Sequence, residues 1–168
     1  MTFSGILIAN RGEIAVRIAR AASDLGIRSV SVFSSDDQAS LHVIKSDESI
    51  LLSGKGAAAY LNMDNIISAA KEMNCDAIHP GYGFLSERAD FAKKCEAEGI
   101  TFIGPKERHL RLFGDKGAAR EAATLASVPV LDGVDKATSL EEAEKFFEEN
   151  HRGILIKAIA GGGGRGTR

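Results

Sequence analysis

Short apolar runs of strand length alternate with amphipathic segments of helical period through the first hundred residues, and that alternation admits one class of fold. Gly5-Ile6-Leu7-Ile8-Ala9 is long enough for a buried strand and too short for a helix. After it, Ile14, Ile18, Ala21, Ala22 and Leu25 recur at spacings of three and four. Glu13, Arg17, Arg20 and Asp24 fall on the opposite face, and Gly26 supplies the stop. Asn10, three positions before Glu13, has the form of a capping box, which starts the helix there and gives both residues a structural role. An anion held at the same helix N-terminus, with Arg11 adding charge, is the alternative use of this segment. The pattern continues with strands over 29–33 and near 49–52, a helix over 62–73, a strand over 76–79, a helix over 86–98 and a strand over 101–103. Strands alternating with helices predict an α/β fold, a Rossmann-like parallel sheet flanked by helices. Right-handed crossovers then gather the turns after the strands, including 10–12 and 79–86, at one edge, where such sheets bind ligands.

Gly104-Pro105 closes this pattern. A helix-like stretch over 106–113 and a small-residue helix over 115–126 follow, ending before Pro129. The change of character places a boundary near residue 113, giving one domain over 1–112 and a second beginning over 113–168. Ser139 and Glu142 form a capping box for an amphipathic helix through Phe146 and Phe147, and Ile154-Leu155-Ile156-Lys157-Ala158 reads as a strand. Two helices and one strand cannot cover that strand's apolar faces, so the second unit reads as the incomplete start of a larger domain.

Charge and cysteine content narrow the function classes. The 168 residues carry a net charge of −2, with Lys and Arg scattered and the densest cluster acidic, from Glu141 to Glu149. Nothing here is an electrostatic footprint for nucleic acid. The first twelve residues match neither a secretory signal nor a membrane span. Cys75 and Cys95 are too far apart for a paired metal-ligand spacing and read as buried free thiols, which points to a reducing, cytoplasmic setting.

The richest chemistry lies at the end of the chain. Lys157 precedes Gly161-Gly162-Gly163-Gly164-Arg165-Gly166-Thr167-Arg168. Glycines let backbone N–H groups approach anionic oxygen, and Lys157, Arg165 and Arg168 add charge, so the segment reads as a phosphate-binding loop more than as a flexible linker. A Walker A loop is excluded because no Lys follows the last glycine, and the single glycine after the first strand argues against a dinucleotide site. In His79-Pro80-Gly81-Tyr82-Gly83-Phe84, His79 reads as structural, whereas Tyr82 and Gly83 offer a flat ligand an aromatic ring and bare backbone. Lys116 opens a helix where the macrodipole disfavours a cation, and either an anionic partner or simple surface exposure accounts for it.

Taken in order, Ile8-Ala9-Asn10-Arg11-Gly12-Glu13-Ile14-Ala15, Ala77 to Glu87, Phe102-Ile103-Gly104-Pro105, Phe113-Gly114-Asp115-Lys116 and the Lys157 glycine segment resemble the biotin carboxylase family. The resemblance spans the whole chain. This component is shared by acyl-CoA, pyruvate and urea carboxylases. The resemblance implies a pre-ATP-grasp domain over 1–112 and the beginning of an ATP-grasp domain from 113. It implies that Lys116 and Lys157 bind ATP, that Gly163 and Gly164 touch the nucleotide within the loop carrying Arg165, and that Tyr82 and Gly83 face biotin. Arg17 and Arg20 would lie at a homodimer contact, although on residue evidence alone they are a solvated face with Glu13 and Arg17 spaced as an i,i+4 pair.

The reaction so implied has bicarbonate attack the γ-phosphate of MgATP to give carboxyphosphate, which supplies CO2 to a nitrogen of biotin. Biotin sits on a carrier domain, and a carboxyltransferase domain or subunit completes the parent enzyme. The magnesium ligands and the groups handling bicarbonate belong to later sequence, beyond Arg168, so the 168-residue chain is expected to be inactive alone. Thr167 stands where the family usually has Met, which alters the expected packing near adenine. Two rivals remain at this stage: an ATP-grasp ligase with a different acceptor, and a non-catalytic folding or dimerisation module. The final carboxyl acceptor is left open among acetyl-CoA, other acyl-CoA thioesters, pyruvate and urea.

Overall fold

In the computed structural model, which describes residues 3–134, 136–150 and 153–157, the first apolar run becomes the central strand of a parallel sheet. In chain order the elements are β1 (Gly5–Ile8), α1 (Gly12–Asp24), β2 (Arg28–Phe33), α2 (Leu41–Lys45), β3 (Glu48–Leu51), α3 (Gly56–Ala59), α4 (Met63–Glu72), β4 (Ala77–His79), α5 (Ala89–Ala97), β5 (Thr101–Phe102), α6 (Glu107–Gly114), α7 (Lys116–Leu125) and α8 (Leu140–Asn150). All five strands run parallel in the order β3-β2-β1-β4-β5. The chain divides into two compact units, Met1–Leu110 and Arg111–Arg168.

Strand alternation decides what each face buries. Leu7 lies opposite Val30 and Ile78, and with Val32 these residues turn to one face, where Tyr60, Ile66, Phe91 and Cys95 complete the larger core. Ile6, Ile8 and Ala77 turn to the other, against Ala15, Ile18, Ala19 and Ala22 of α1. β1 is buried at all four positions because helices cover it on both sides. The sheet grows outward in both directions from β1, so the turns after β1 and β4 stand beside the point where strand order reverses, the place at which such sheets bind ligands.

Several boundaries depart from the sequence expectation for physical reasons. α2 and α3 were not anticipated; they hold five and four residues, too few for a helical period to show. The helix expected from residue 86 starts at Ala89. Phe84 adopts φ +43° and Leu85 is buried, so the chain makes tight turns, Ser86 N–H to Gly83 and Arg88 N–H to Leu85, before helix geometry can begin. The strand expected over 154–158 is reduced to a bridge at Lys157 among the described residues.

The capping box at Ser139 forms as expected: the Ser139 N–H donates to Glu142 Oε2 (2.9 Å) and the Glu142 N–H donates to Ser139 Oγ (3.2 Å). The two cysteines are buried free thiols, with burial pushing Cys75 up to about 11 and Cys95 up to about 12.

Candidate functional site

The edge of the sheet after β1 and β4 is held together by one buried carboxamide. Asn10 is 2% exposed, and its Nδ2 donates to the carbonyls of Pro80 (2.7 Å) and Tyr82 (2.9 Å), while Oδ1 accepts from the Arg11 N–H (2.9 Å). The expected capping box with Glu13 does not form. The helix cap is Arg11, without a side-chain bond, and Asn10 turns away because its amide donates to two carbonyls of the 80–82 turn. Gly81 has φ +65°, and a Cβ there would lie 2.7 Å from Asn10 Nδ2, so this position must remain glycine for the turn to seat on Asn10.

Tyr82 and Gly83 follow on the outer side of that turn. Tyr82 is 61% exposed, and its hydroxyl donates to Glu13 Oε2 (3.1 Å), which raises its pKa. Gly83 has φ +69° with open space where a Cβ would point. His79 is half-buried and structural, as expected: its Nδ1 accepts the Gly81 N–H (3.0 Å), and burial lowers its pKa.

Beside the turn lies a cluster that sequence reading missed. The Arg11 guanidinium sits 5.4 Å from the Tyr60 ring centre and 5.8 Å from that of Phe84, with an ion pair to Asp37 at 3.0 Å. Asp37 Oδ2 also accepts from the Tyr60 hydroxyl (2.8 Å) and Ser34 Oγ (3.1 Å). The two rings lie 5.3 Å apart. Burial acts to raise the Asp37 pKa, but hydrogen bonds from Tyr60, Arg11 and Ser34 outweigh it and hold the carboxyl below its ordinary value. Burial, with help from Asp37, pushes Tyr60 up to about 12. Tyr60 and Arg11 are 23 and 26 residues from Asp37 in sequence, too distant for any local motif; the polar Ser34-Ser35-Asp36-Asp37 stretch directly after a strand was the available signal.

The sign of the Asp37 contribution follows from its depressed folded-state pKa. Its stabilisation is complete above the unfolded carboxyl value of about 4 and disappears as pH falls through the lower folded value. The difference in unfolding free energy between wild type and Asp37→Asn should therefore be constant above about pH 5 and shrink below about pH 4. Denaturant titrations at several pH values, read by tyrosine emission, check this; a gap that does not change with pH would remove the charged Asp37 from the account.

The remaining site candidates belong to other segments of the chain. Lys116 is the first residue of α7, where Asp115 caps the helix by accepting the Ala118 N–H (3.0 Å). Lys157 occupies the bridge position and is exposed. Gly163, Gly164, Arg165 and Thr167 lie outside the described residues. Arg17 and Arg20 are exposed on α1, and Arg17 pairs with Glu13 (3.6 Å), the i,i+4 pair expected. Among the described residues no group of three or more His, Cys, Asp or Glu side chains could hold a metal ion, and no helix is long and apolar enough to cross a membrane.

Residues 2–110, well over half the chain, match the family model of the biotin carboxylase N-terminal domain. The chain belongs to that biotin carboxylase family. Residues 115–168 match the ATP binding domain of the carbamoyl-phosphate synthase L chain. Pyruvate carboxylase of Bacillus subtilis is 54% identical over 97% of this chain, and urea amidolyase of Lachancea kluyveri is 50% identical over 99%. The chain spans only 14% and 9% of those two proteins. Among solved structures, the biotin carboxylase domain dimer of Hydrogenobacter thermophilus 2-oxoglutarate carboxylase, in complex with MgADP, ADP and bicarbonate, superposes with a TM-score of 0.95. It is 43% identical and covers all of this chain and 37% of its own. Campylobacter jejuni biotin carboxylase in its β-γ-ATP complex gives a TM-score of 0.94 at 41% identity, covering 99% of this chain and 38% of that one. The Asn10 turn and the Arg11 cluster thus lie in the part of the chain that the biotin carboxylase N-terminal domain model matches.

Proposed function

We propose that this chain is the N-terminal part of the biotin carboxylase component of a biotin-dependent carboxylase, which uses ATP and bicarbonate to carboxylate biotin through carboxyphosphate. The observation that carries this reading is a single continuous match, 54% identical, running through 97% of the chain to an enzyme that carboxylates pyruvate by name. Residues 1–112 are the pre-ATP-grasp domain and 113–168 the start of the ATP-grasp domain. Biotin reaches the site on a carrier domain, a carboxyltransferase domain or subunit takes the product onward, and the parent forms a homodimer through the helix carrying Arg17 and Arg20. The cytoplasm is the proposed compartment, in keeping with two buried free thiols.

The residues present suit a nucleotide. Lys116 places an ammonium at a helix N-terminus, where the dipole itself favours an anion, and Lys157 adds a second cation. In this proposal Lys116, Lys157, Gly163, Gly164 and Arg165 hold the ATP phosphates, while Tyr82 and Gly83 face biotin. Transfer of a phosphoryl group rests on positioning and charge neutralisation, which is what lysines and a glycine loop supply. In this proposal magnesium is held by other residues of the parent.

ADP release by the full-length parent, with bicarbonate and free biotin each added or withheld, tests the proposal. Release that rises fully only when both are present supports biotin carboxylation. Release indifferent to biotin overturns it in favour of an ATP-grasp ligase with another acceptor.

A further inference from the structure

We infer that Asn10 is a positioning residue for the biotin side of the site: its buried carboxamide sets the backbone of the 80–82 turn and so fixes where Tyr82 and Gly83 stand. This rests on the proposed reading that those two residues face biotin. Asn10 is almost fully buried at the end of β1, and it uses both amide hydrogens and its carbonyl oxygen. The orientation of the carboxamide is fixed by its partners, since Pro80 and Tyr82 offer only carbonyls and Arg11 only an N–H at these contacts. Two carbonyls two residues apart converge on one nitrogen, which forces the chain between them to fold tightly at Gly81, with φ +65° and no room for a Cβ. Ile14 closes the same space, 3.0 Å from where that Cβ would be. The ring of Tyr82 then emerges outward, and Glu13 holds its hydroxyl. The turn is therefore seated from beneath by a residue that itself stays buried, away from any ligand Tyr82 meets.

Asparagine is needed for this and aspartate is not a substitute. A carboxylate of the same shape still accepts the Arg11 N–H but offers no hydrogen to either carbonyl, and it brings negative charge against two oxygen dipoles. Small misplacement of a substrate-facing group has large kinetic effects, up to about a hundredfold for 1 Å. The Asn10 contacts lie wholly within the Met1–Leu110 unit, whereas Lys116 and Lys157 lie in the other, so the consequence should fall on biotin and not on ATP.

The test uses the full-length carboxylase with free biotin as the probe, measuring KM for biotin and for ATP by ADP release at saturating bicarbonate. Asn10→Asp should raise the biotin KM at least tenfold and leave the ATP KM within twofold. A folded Asn10→Asp enzyme with biotin KM within twofold of wild type, or with both KM values raised equally, overturns the inference. Tyr82→Ala separates the two layers: if it leaves the biotin KM unchanged, the biotin reading of the turn itself fails. If Tyr82→Ala raises that KM and Asn10→Asp does not, only the positioning role fails. Should Asn10→Asp not fold, Gly81→Ala presses on the same contact from the other side and decides the matter by the same KM split.

Discussion

In the full-length enzyme, Lys116→Gln is expected to lower ADP release in the presence of bicarbonate and biotin on the order of a hundredfold, the scale of removing one charged contact from a reacting phosphate. The substitution keeps most of the side-chain length and removes the charge. Its position gives the experiment an internal control. As the first residue of α7, Lys116 opposes the helix dipole, an effect of about 0.3–1 kcal/mol, so glutamine should leave the melting temperature close to wild type or slightly above it. Lost activity with unchanged stability assigns Lys116 to the nucleotide. Unchanged ADP release returns it to the surface role that its sequence position equally allowed.

Phe91→Ala should destabilise the first unit by about 3–5 kcal/mol, the range for removing a buried aromatic side chain from a packed core. Phe91 is fully buried on α5, within the larger core, and meets Phe102 edge to face at 5.9 Å. Both tyrosines of the chain, Tyr60 and Tyr82, belong to the first unit, so tyrosine emission during urea titration reports that unit without interference from the second. A shift equivalent to less than about 1 kcal/mol would mean the core collapses onto the vacated space, contrary to the dense packing assigned here.

What could be read from the residues alone was local. β1, α1 and α4 announce themselves through runs and spacings within a dozen positions, and the Ser139 capping box joins residues three apart. The same signature at Asn10 misled, because a carbonyl pair some seventy residues downstream competes for its amide and no spacing rule reports such a partner. Asp37 escaped notice for a related reason: Arg11 and Tyr60 approach it only after the two crossovers that join β1, β2 and β3 have formed. Tyr82 and Gly83 were legible as unusual residues, and they follow β4 beside the switch in strand order. The turn that aims them was invisible, since it depends on a hydrogen-bond donor supplied by another strand's end.

The sheet order also imposes a schedule on the growing chain. β1, β2 and β3 are adjacent in sequence and in space, so three of the five strands can pair once about fifty residues are available. β1 nevertheless keeps one edge open until β4 arrives, and Asn10 waits for Pro80, 70 residues later. At roughly 5–20 residues per second, that interval is about 4–14 s of synthesis. For that time the nascent chain presents an apolar central strand with an unpaired edge, the feature that recruits misplaced strands and chaperones alike. Sealing of that edge by β4, and the docking of the carboxamide that accompanies it, ends the exposure of the central strand and passes the open edge to β4, where β5 closes it some twenty residues later.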